Sequence, residues 1–150
     1  MPSNRKLVTP APRGWNMTTN PDSPCGGFNT AGTPTTISTS QSITYIILDG
    51  YGTVTAYFAE GAGANTGFVA IPGGFWTTGT TNNDTSYTVS MDVTDPSAYA
   101  GKTGTVQFQY YSTPDGIAFY QCVDVTFQSA STQITVGALF FLLLVVALLI

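Results

Sequence analysis

The sequence predicts an all-β protein in which one β-sandwich of about 130 residues encloses a single hydrophobic core. Aromatic residues make up 13% of the chain, whereas Lys and Arg together number 4 and Asp and Glu together number 8, a composition that suits a β-rich extracellular surface. Short runs with a period of two recur along the sequence, and Gly-, Pro- and Asp-rich turns separate them. No stretch before residue 136 is typical of a helix.

Seven of these runs are predicted to be strands, and this number indicates two packed sheets. They span residues 35–38, 43–48, 53–59, 67–71, 85–93, 104–111 and 117–127. Turn-forming residues lie between them, for example at 72–74 (PGG) and 114–116 (PDG). The last strand has two unlike faces, so Cys122 and Asp124 are expected to point away from the core. The side chains on its opposite face are predicted to enter the core: Phe119, Val123, Val125 and Phe127.

Cys25 and Cys122 are predicted to form a disulfide, because a secreted chain passes through an oxidising compartment. Two free thiols or a pair of metal ligands are the alternatives. The disulfide would close a loop of about 98 residues, worth about 4 to 5 kcal/mol on the chain-entropy model. Asn16 and Asn83 each begin an Asn-x-Thr sequon and are candidate glycosylation sites.

The two ends of the chain are predicted to lie outside the domain, which we place at residues 7–128. Residues 129–150 end in an apolar run from Val136 that no Lys or Arg follows. This pattern favours a removable glycosylphosphatidylinositol (GPI) anchor signal over a tail-anchored or buried helix, with Ser129 or Ser131 as the attachment site. Residues 1–6 contain no apolar leader, and we interpret them as a mis-annotated or truncated N-terminus of a protein at the outer cell surface or wall.

Three motifs occur in an order that resembles the copper-acquisition-factor-like family. They are PAPRGW at 10–15, PCGGFN at 24–29 and YQCVDV at 120–125. Members are small secreted proteins, often lipid-anchored, that share the fold of lytic polysaccharide monooxygenases but are not known to cleave polysaccharide. The resemblance covers residues 7–127 and implies an immunoglobulin/fibronectin-like β-sandwich.

The resemblance also implies a copper site made by an N-terminal His, a second His and an Asp, a ligand set that suits Cu(II). Carried onto this chain, the Asp is Asp124, the terminal His position falls near Asn4, and the second His position falls near 49–51. The chain has no His, so only Asp124 is retained, with Asp49 or Tyr51 as an additional ligand if an upstream segment supplies the terminal His. Copper, bound weakly or not at all, is the expected cofactor and partner.

A second interpretation makes Asp124 a structural carboxylate near the disulfide and pairs Arg13 with Asp124 or Asp22, which would lower the pKa of that Asp. Without His, no catalytic base is evident, and the protein is expected not to be an enzyme. The spacing of Asp115 and Asp124 does not support a glycosidase.

Nucleic acid is excluded as an expected partner, because the only basic pair is Arg5-Lys6. The alternative function is a carbohydrate-binding or adhesive surface module that contacts cell-wall carbohydrate. Four aromatic residues are its candidate sugar platform, namely Trp15, Trp76, Tyr110 and Tyr111.

Overall fold

A computed structural model describes residues 5–47, 51–78 and 85–129 of the chain. These residues form two packed sheets, which confirms the predicted all-β sandwich. Predictions on Asp49, Asn83, Ser131 and the apolar run from Val136 lie outside the described residues. The strands are β1 (Arg5–Thr9), β2 (Thr35–Ile37), β3 (Ser40–Ile47), β4 (Gly52–Glu60), β5 (Val69–Thr77), β6 (Thr85–Asp92), β7 (Thr103–Ser112) and β8 (Ile117–Phe127).

The smaller sheet has the order β1-β3-β6 and the larger sheet the order β2-β8-β7-β4-β5. Neighbouring strands are antiparallel except β2, which pairs in parallel with β8. The described part of the chain adds one short 3₁₀ helix, Pro96–Ala98, between β6 and β7. None of its helices is long and apolar enough to cross a bilayer.

The core lies between the two sheets and is filled by alternate residues of the central strands. Phe58 and Phe127 meet edge to face, with 5.4 Å between their ring centroids. The four residues of β8 that were predicted to enter the core all do so. Buried core residues include Leu7, Ile43, Tyr45, Val54, Ala56, Phe58, Met91, Val106, Phe108, Tyr110, Phe119, Val123, Val125 and Phe127.

Within the described residues the first strand is already present at Arg5, whereas the sequence placed the domain at residues 7–128. β1 pairs with β3 through the partners Arg5 and Ile47, and it buries Leu7 completely. The sequence of β1 has weak strand character by itself, because two charged residues begin it. Its pairing with β3, about forty positions further along the chain, makes it a strand. Sequence periodicity alone therefore missed it.

The prediction of a turn at 72–74 is wrong, because β5 continues through these residues to Thr77. β5 is the edge strand of its sheet, where a Pro that lacks an N–H is tolerated. The pairing of β4 with β5 shifts register between Thr55 and Tyr57, which is where the extra residues are accommodated. The Thr94 N–H then donates to the Pro72 carbonyl oxygen at 2.9 Å and connects this part of β5 to the end of β6.

Gly73 is the residue in this part of β5 that tolerates substitution least. Its φ is 89°, and an added Cβ would overlap the carbonyl oxygen of Asp92. We expect Gly73→Ala to lower the free energy of unfolding by about 2 to 3 kcal/mol, measured by chemical denaturation. Gly61→Ala is the matched control, because Gly61 has a φ of 114° but no atom within 4 Å of the added Cβ. Equal losses in the two variants would contradict the steric explanation.

Candidate functional site

Residues 10–34 cross the outer face of the larger sheet and cover part of β7 and β8. The predicted disulfide Cys25–Cys122 fastens this segment to β8, and both cysteines are buried. Backbone hydrogen bonds strengthen the attachment, since Arg13 N–H donates to the Cys122 carbonyl oxygen at 2.7 Å and Tyr120 N–H donates to the Asn20 carbonyl oxygen at 2.8 Å. The covering segment thus brings Arg13 beside Asp124.

The Asp124 cluster consists of Asp124, Arg13, Thr105, Gly32 and Asn65. Asp124 Oδ1 accepts hydrogen bonds from Arg13 Nη2 at 2.6 Å and from Thr105 Oγ1 at 3.0 Å. Its Oδ2 accepts from Arg13 Nε at 2.9 Å and from the Gly32 N–H at 2.6 Å. Two parallel bonds join the guanidinium to the carboxylate, which is the strongest geometry for this pair.

The Asp124 cluster is a closed ion pair inside the protein. The side chains of Arg13 and Asp124 are each only 2% exposed. Arg13 Nη1 also donates to Asn65 Oδ1 at 2.6 Å. Burial raises the pKa of Asp124, but hydrogen bonds from Arg13, Gly32 and Thr105, together with the Arg13 charge, hold this pKa below its ordinary value. The predicted structural pairing of Arg13 with Asp124 is therefore confirmed.

The Asp115 cluster consists of Asp115, Arg5, Ser112, Tyr110 and Phe119, at the turn between β7 and β8. Arg5 is 1% exposed, and its Nη2 donates to Asp115 Oδ2 at 2.5 Å and to Ser112 Oγ at 3.0 Å. Its guanidinium carbon lies 4.5 Å from the centroid of the Phe119 ring, close enough for a cation–π interaction. The ion pair is therefore buried on the Arg5 side only, because the Asp115 side chain is 44% exposed to solvent.

Hydrogen bonding also lowers the pKa of Asp115. The Ser112 hydroxyl, which donates to Asp115 Oδ2 at 2.8 Å, is the main cause, and Arg5 adds a further hydrogen bond and its charge. Sequence analysis considered Asp115 only as half of a glycosidase pair. It did not consider Arg5 as a partner for Asp115, because it placed residues 1–6 outside the domain.

The two clusters lie far apart in the sandwich. Ile117, beside the Asp115 turn, and Asp124 are seven positions apart on β8, which corresponds to about 23 Å along a strand. Arg5 and Tyr51 are the described neighbours of the two positions where the resemblance places His ligands. Both lie at the Asp115 end, since the Thr113 N–H donates to the Tyr51 carbonyl oxygen at 3.0 Å.

The structure therefore does not bring Asp124 together with Arg5 and Tyr51, the described residues at or beside the expected His positions. Among the described carboxylates, Asp115 is the one that contacts Arg5. Asp115 lies in the turn before β8, so the distance of about 23 Å from Ile117 to Asp124 also argues against Asp115 and Asp124 as a glycosidase pair, which requires carboxyl groups within about 10 Å of each other.

The other predicted site residues are dispersed over the molecule. Asn16 is exposed, and its Oδ1 accepts the Thr18 N–H at 2.8 Å. Ser129 is exposed at the end of the described chain. The four predicted platform aromatics do not share one surface, because Tyr110 is fully buried and Trp76 packs against the core. Trp15 donates from Nε1 to the Arg5 carbonyl oxygen at 2.9 Å, and Tyr111 remains 44% exposed.

The fold and the buried disulfide define a small β-sandwich of the extracellular type. The chain belongs to the copper acquisition factor BIM1-like family, whose family model matches residues 3–137. This membership confirms the family proposed from the three sequence motifs and gives the chain a copper-related role. A comparison with curated proteins found no match.

The described side chains do not fit the copper ion that this family implies. Cu(II) favours imidazole nitrogen, and the chain contains no His. Among residues 5–47, 51–78 and 85–129, no three His, Cys, Asp or Glu residues form a group able to hold a metal. A metal at Asp124 would have to displace Arg13, and a metal at Asp115 would face the Arg5 guanidinium. Whether Asp124 binds copper stays a prediction.

Proposed function

We propose that this chain is a non-enzymatic, extracellular member of the copper acquisition family in which its own carboxylates do not hold copper. The observation that carries the proposal is the pairing of both arginines of the chain with Asp124 and Asp115. Arg13 holds Asp124 in two bonds within a buried site, and Arg5 holds Asp115 from beneath. At each site a guanidinium supplies the positive charge that a metal ion would supply, and it does so without a metal.

The proposed location is the outer cell surface, with the domain attached through a GPI anchor at Ser129 or Ser131. The buried Cys25–Cys122 disulfide supports an oxidising compartment. The apolar run from Val136 to Ile150 supports an anchor signal. Release of the protein from intact cells by a phosphatidylinositol-specific phospholipase is the expected result, and retention of the protein after complete cleavage of a control GPI protein would contradict it.

Titration with Cu(II) tests the proposal directly. We expect weak binding to the full chain, and we expect Asp124→Asn and Asp115→Asn to change the affinity by less than about threefold, as measured by isothermal titration calorimetry. The physical reason is that each carboxylate already has a cationic partner. Glu60→Gln is the control, because Glu60 is an exposed carboxylate with only a surface partner, Lys102.

Tight binding of one Cu(II) per chain that either Asp variant abolishes would overturn the proposal. Electron paramagnetic resonance of the copper-loaded protein adds a second readout, because the expected spectrum lacks coupling to imidazole nitrogen. Formation of oxidised oligosaccharides from polysaccharide in the presence of copper and a reductant would overturn the non-enzymatic part.

A further inference from the structure

The covering segment leaves part of the larger sheet open on its outer face. Along β4, Val54, Ala56 and Phe58 enter the core, so the alternate residues of this strand face outward. Cross-strand partners share a face, which places the matching residues of β5 and β7 beside them. We call this surface the open face, and its residues are Thr53, Thr55 and Tyr57 of β4, Phe75 and Thr77 of β5, and Gln109 and Tyr111 of β7.

Two aromatic rings of the open face are exposed to water. Phe75 is 61% exposed and Tyr111 is 44% exposed, although their chain neighbours Trp76 and Tyr110 pack in or against the core. Phe75 lies on β5 and Tyr111 on β7, with β4 between them. Phe75 pairs with Thr55 whereas Tyr111 pairs with Thr53, so two strand spacings and a two-residue offset place the two residues about 12 Å apart, too far for their rings to stack on each other. Both rings are therefore available for contact with a ligand that lies across the open face.

The open face carries no charge. Its polar groups are the hydroxyls of Thr53, Thr55 and Thr77 and the amide of Gln109, which lie between and beside the rings. Glu60, the charged residue that follows on β4, pairs with Lys102 at 3.0 Å. A flat, neutral surface of rings, hydroxyls and amides matches a ligand that is itself neutral, ring-shaped and rich in hydroxyl groups.

We propose that the open face binds a neutral, β-linked polysaccharide. Equatorially linked pyranose rings present flat C–H surfaces, which stack on Phe75 and Tyr111, while their hydroxyl groups exchange hydrogen bonds with the threonines and Gln109. The separation of about 12 Å between Phe75 and Tyr111 is comparable to the length of one disaccharide, so successive contacts can lie along one glycan chain. This role does not depend on copper and is additional to the proposed function.

Binding of soluble oligosaccharides to the full chain tests the inference. The probes are cellohexaose, laminarihexaose and chitohexaose, with a galacturonic acid hexamer as the anionic control, followed by calorimetry and by NMR shifts of the β4, β5 and β7 amides. We expect at least one neutral probe to bind, and Phe75→Ala and Tyr111→Ala each to weaken its binding by about tenfold. Both residues are exposed, so melting temperatures close to that of the wild type will show that the variants fold.

Val69→Ala is the matched control. Val69 lies on β5 and is 69% exposed, but it pairs with Phe58 and therefore belongs to the other side of the sheet. Its loss should leave glycan affinity unchanged. Failure of all three neutral probes to bind, equal binding of the anionic hexamer, or unchanged affinity in both aromatic variants would overturn the inference. A dimer that Phe75→Ala dissociates would assign the face to a second copy of the chain and overturn it too.

Discussion

Replacement of Arg13 by Met is expected to lower the free energy of unfolding by about 3 to 5 kcal/mol, because it removes one partner of a buried ion pair. Asp124 would keep its charge in a site where its side chain is 2% exposed, and would lose two of its four hydrogen bonds. Asn65 and Thr105 would also lose a donor. Urea or guanidinium denaturation at neutral pH measures the loss.

Lys102→Met is the control for this prediction. Lys102 and Glu60 form an ion pair whose side chains are 42% and 63% exposed, and breaking such a pair costs at most about 1 kcal/mol. The double variant Arg13→Met with Asp124→Leu should recover much of the stability that Arg13→Met loses, because no unpaired charge remains. A loss in Arg13→Met no larger than in Lys102→Met would show that the buried pair does not determine stability.

The effect of Arg13→Met is expected to depend on pH. In the wild type the folded-state pKa of Asp124 lies below its ordinary value of 3.8. The stability that this carboxylate contributes is therefore present above that value and lost as the pH falls through the folded-state pKa. In the variant, burial without Arg13 raises the pKa, so acid protonates the buried carboxylate and relieves its cost. The difference between variant and wild type should shrink as the pH falls toward 4.

Removal of the disulfide by the double change Cys25→Ala and Cys122→Ala is expected to lower the free energy of unfolding by about 4 to 5 kcal/mol. The bond joins residues 97 positions apart and so restricts most of the unfolded chain. It also fixes the segment that delivers Arg13 to Asp124, so part of the loss comes from the folded state. Denaturation of the variant beside the oxidised wild type measures it.

The wild type treated with a reductant during denaturation is the control for the alanine substitutions, and it should approach the stability of the variant. A loss below about 1 kcal/mol in both cases would contradict the loop-closure argument. Such a result would mean that the Arg13 pair and the backbone hydrogen bonds to Cys122 and Tyr120 hold the covering segment without the bond.

Local pattern predicts most of this fold because alternation is a local signal. The run at 104–111 alternates apolar and polar residues, and β7 forms there, although Thr105 and Gln107 on its outer face are also buried. β1 escaped prediction, since its strand character depends on β3, a partner distant in sequence. The site divides in the same way. The disulfide was predictable from the two cysteines, and the pairing of Arg13 with Asp124 from the small number of cations. The pairing of Arg5 with Asp115 was not, because it depends on how the folded chain brings its first strand against the turn between β7 and β8.

The motif resemblance placed the copper ligand at Asp124. The sequence does not show, however, which residues of distant strands lie at the same end of the sheet as Asp124. Asp115 and Asp124 are nine positions apart, close enough to appear as one candidate region in the sequence. A strand of that length separates them by about 30 Å at most. Only the pairing of β1 with β3, and of β7 with β8, shows which of them lies near Arg5 and Tyr51.

The direction of β8 decides how the domain would be presented at a cell surface. This strand runs from Ile117, beside the Asp115 cluster, to Phe127, and the chain leaves the sandwich there. Its eleven residues span about 33 Å. A tether that follows Ser129 would therefore hold the Asp115 end outermost, well clear of the lipid headgroups, and would leave the open face of β4, β5 and β7 standing upright along the side of the molecule.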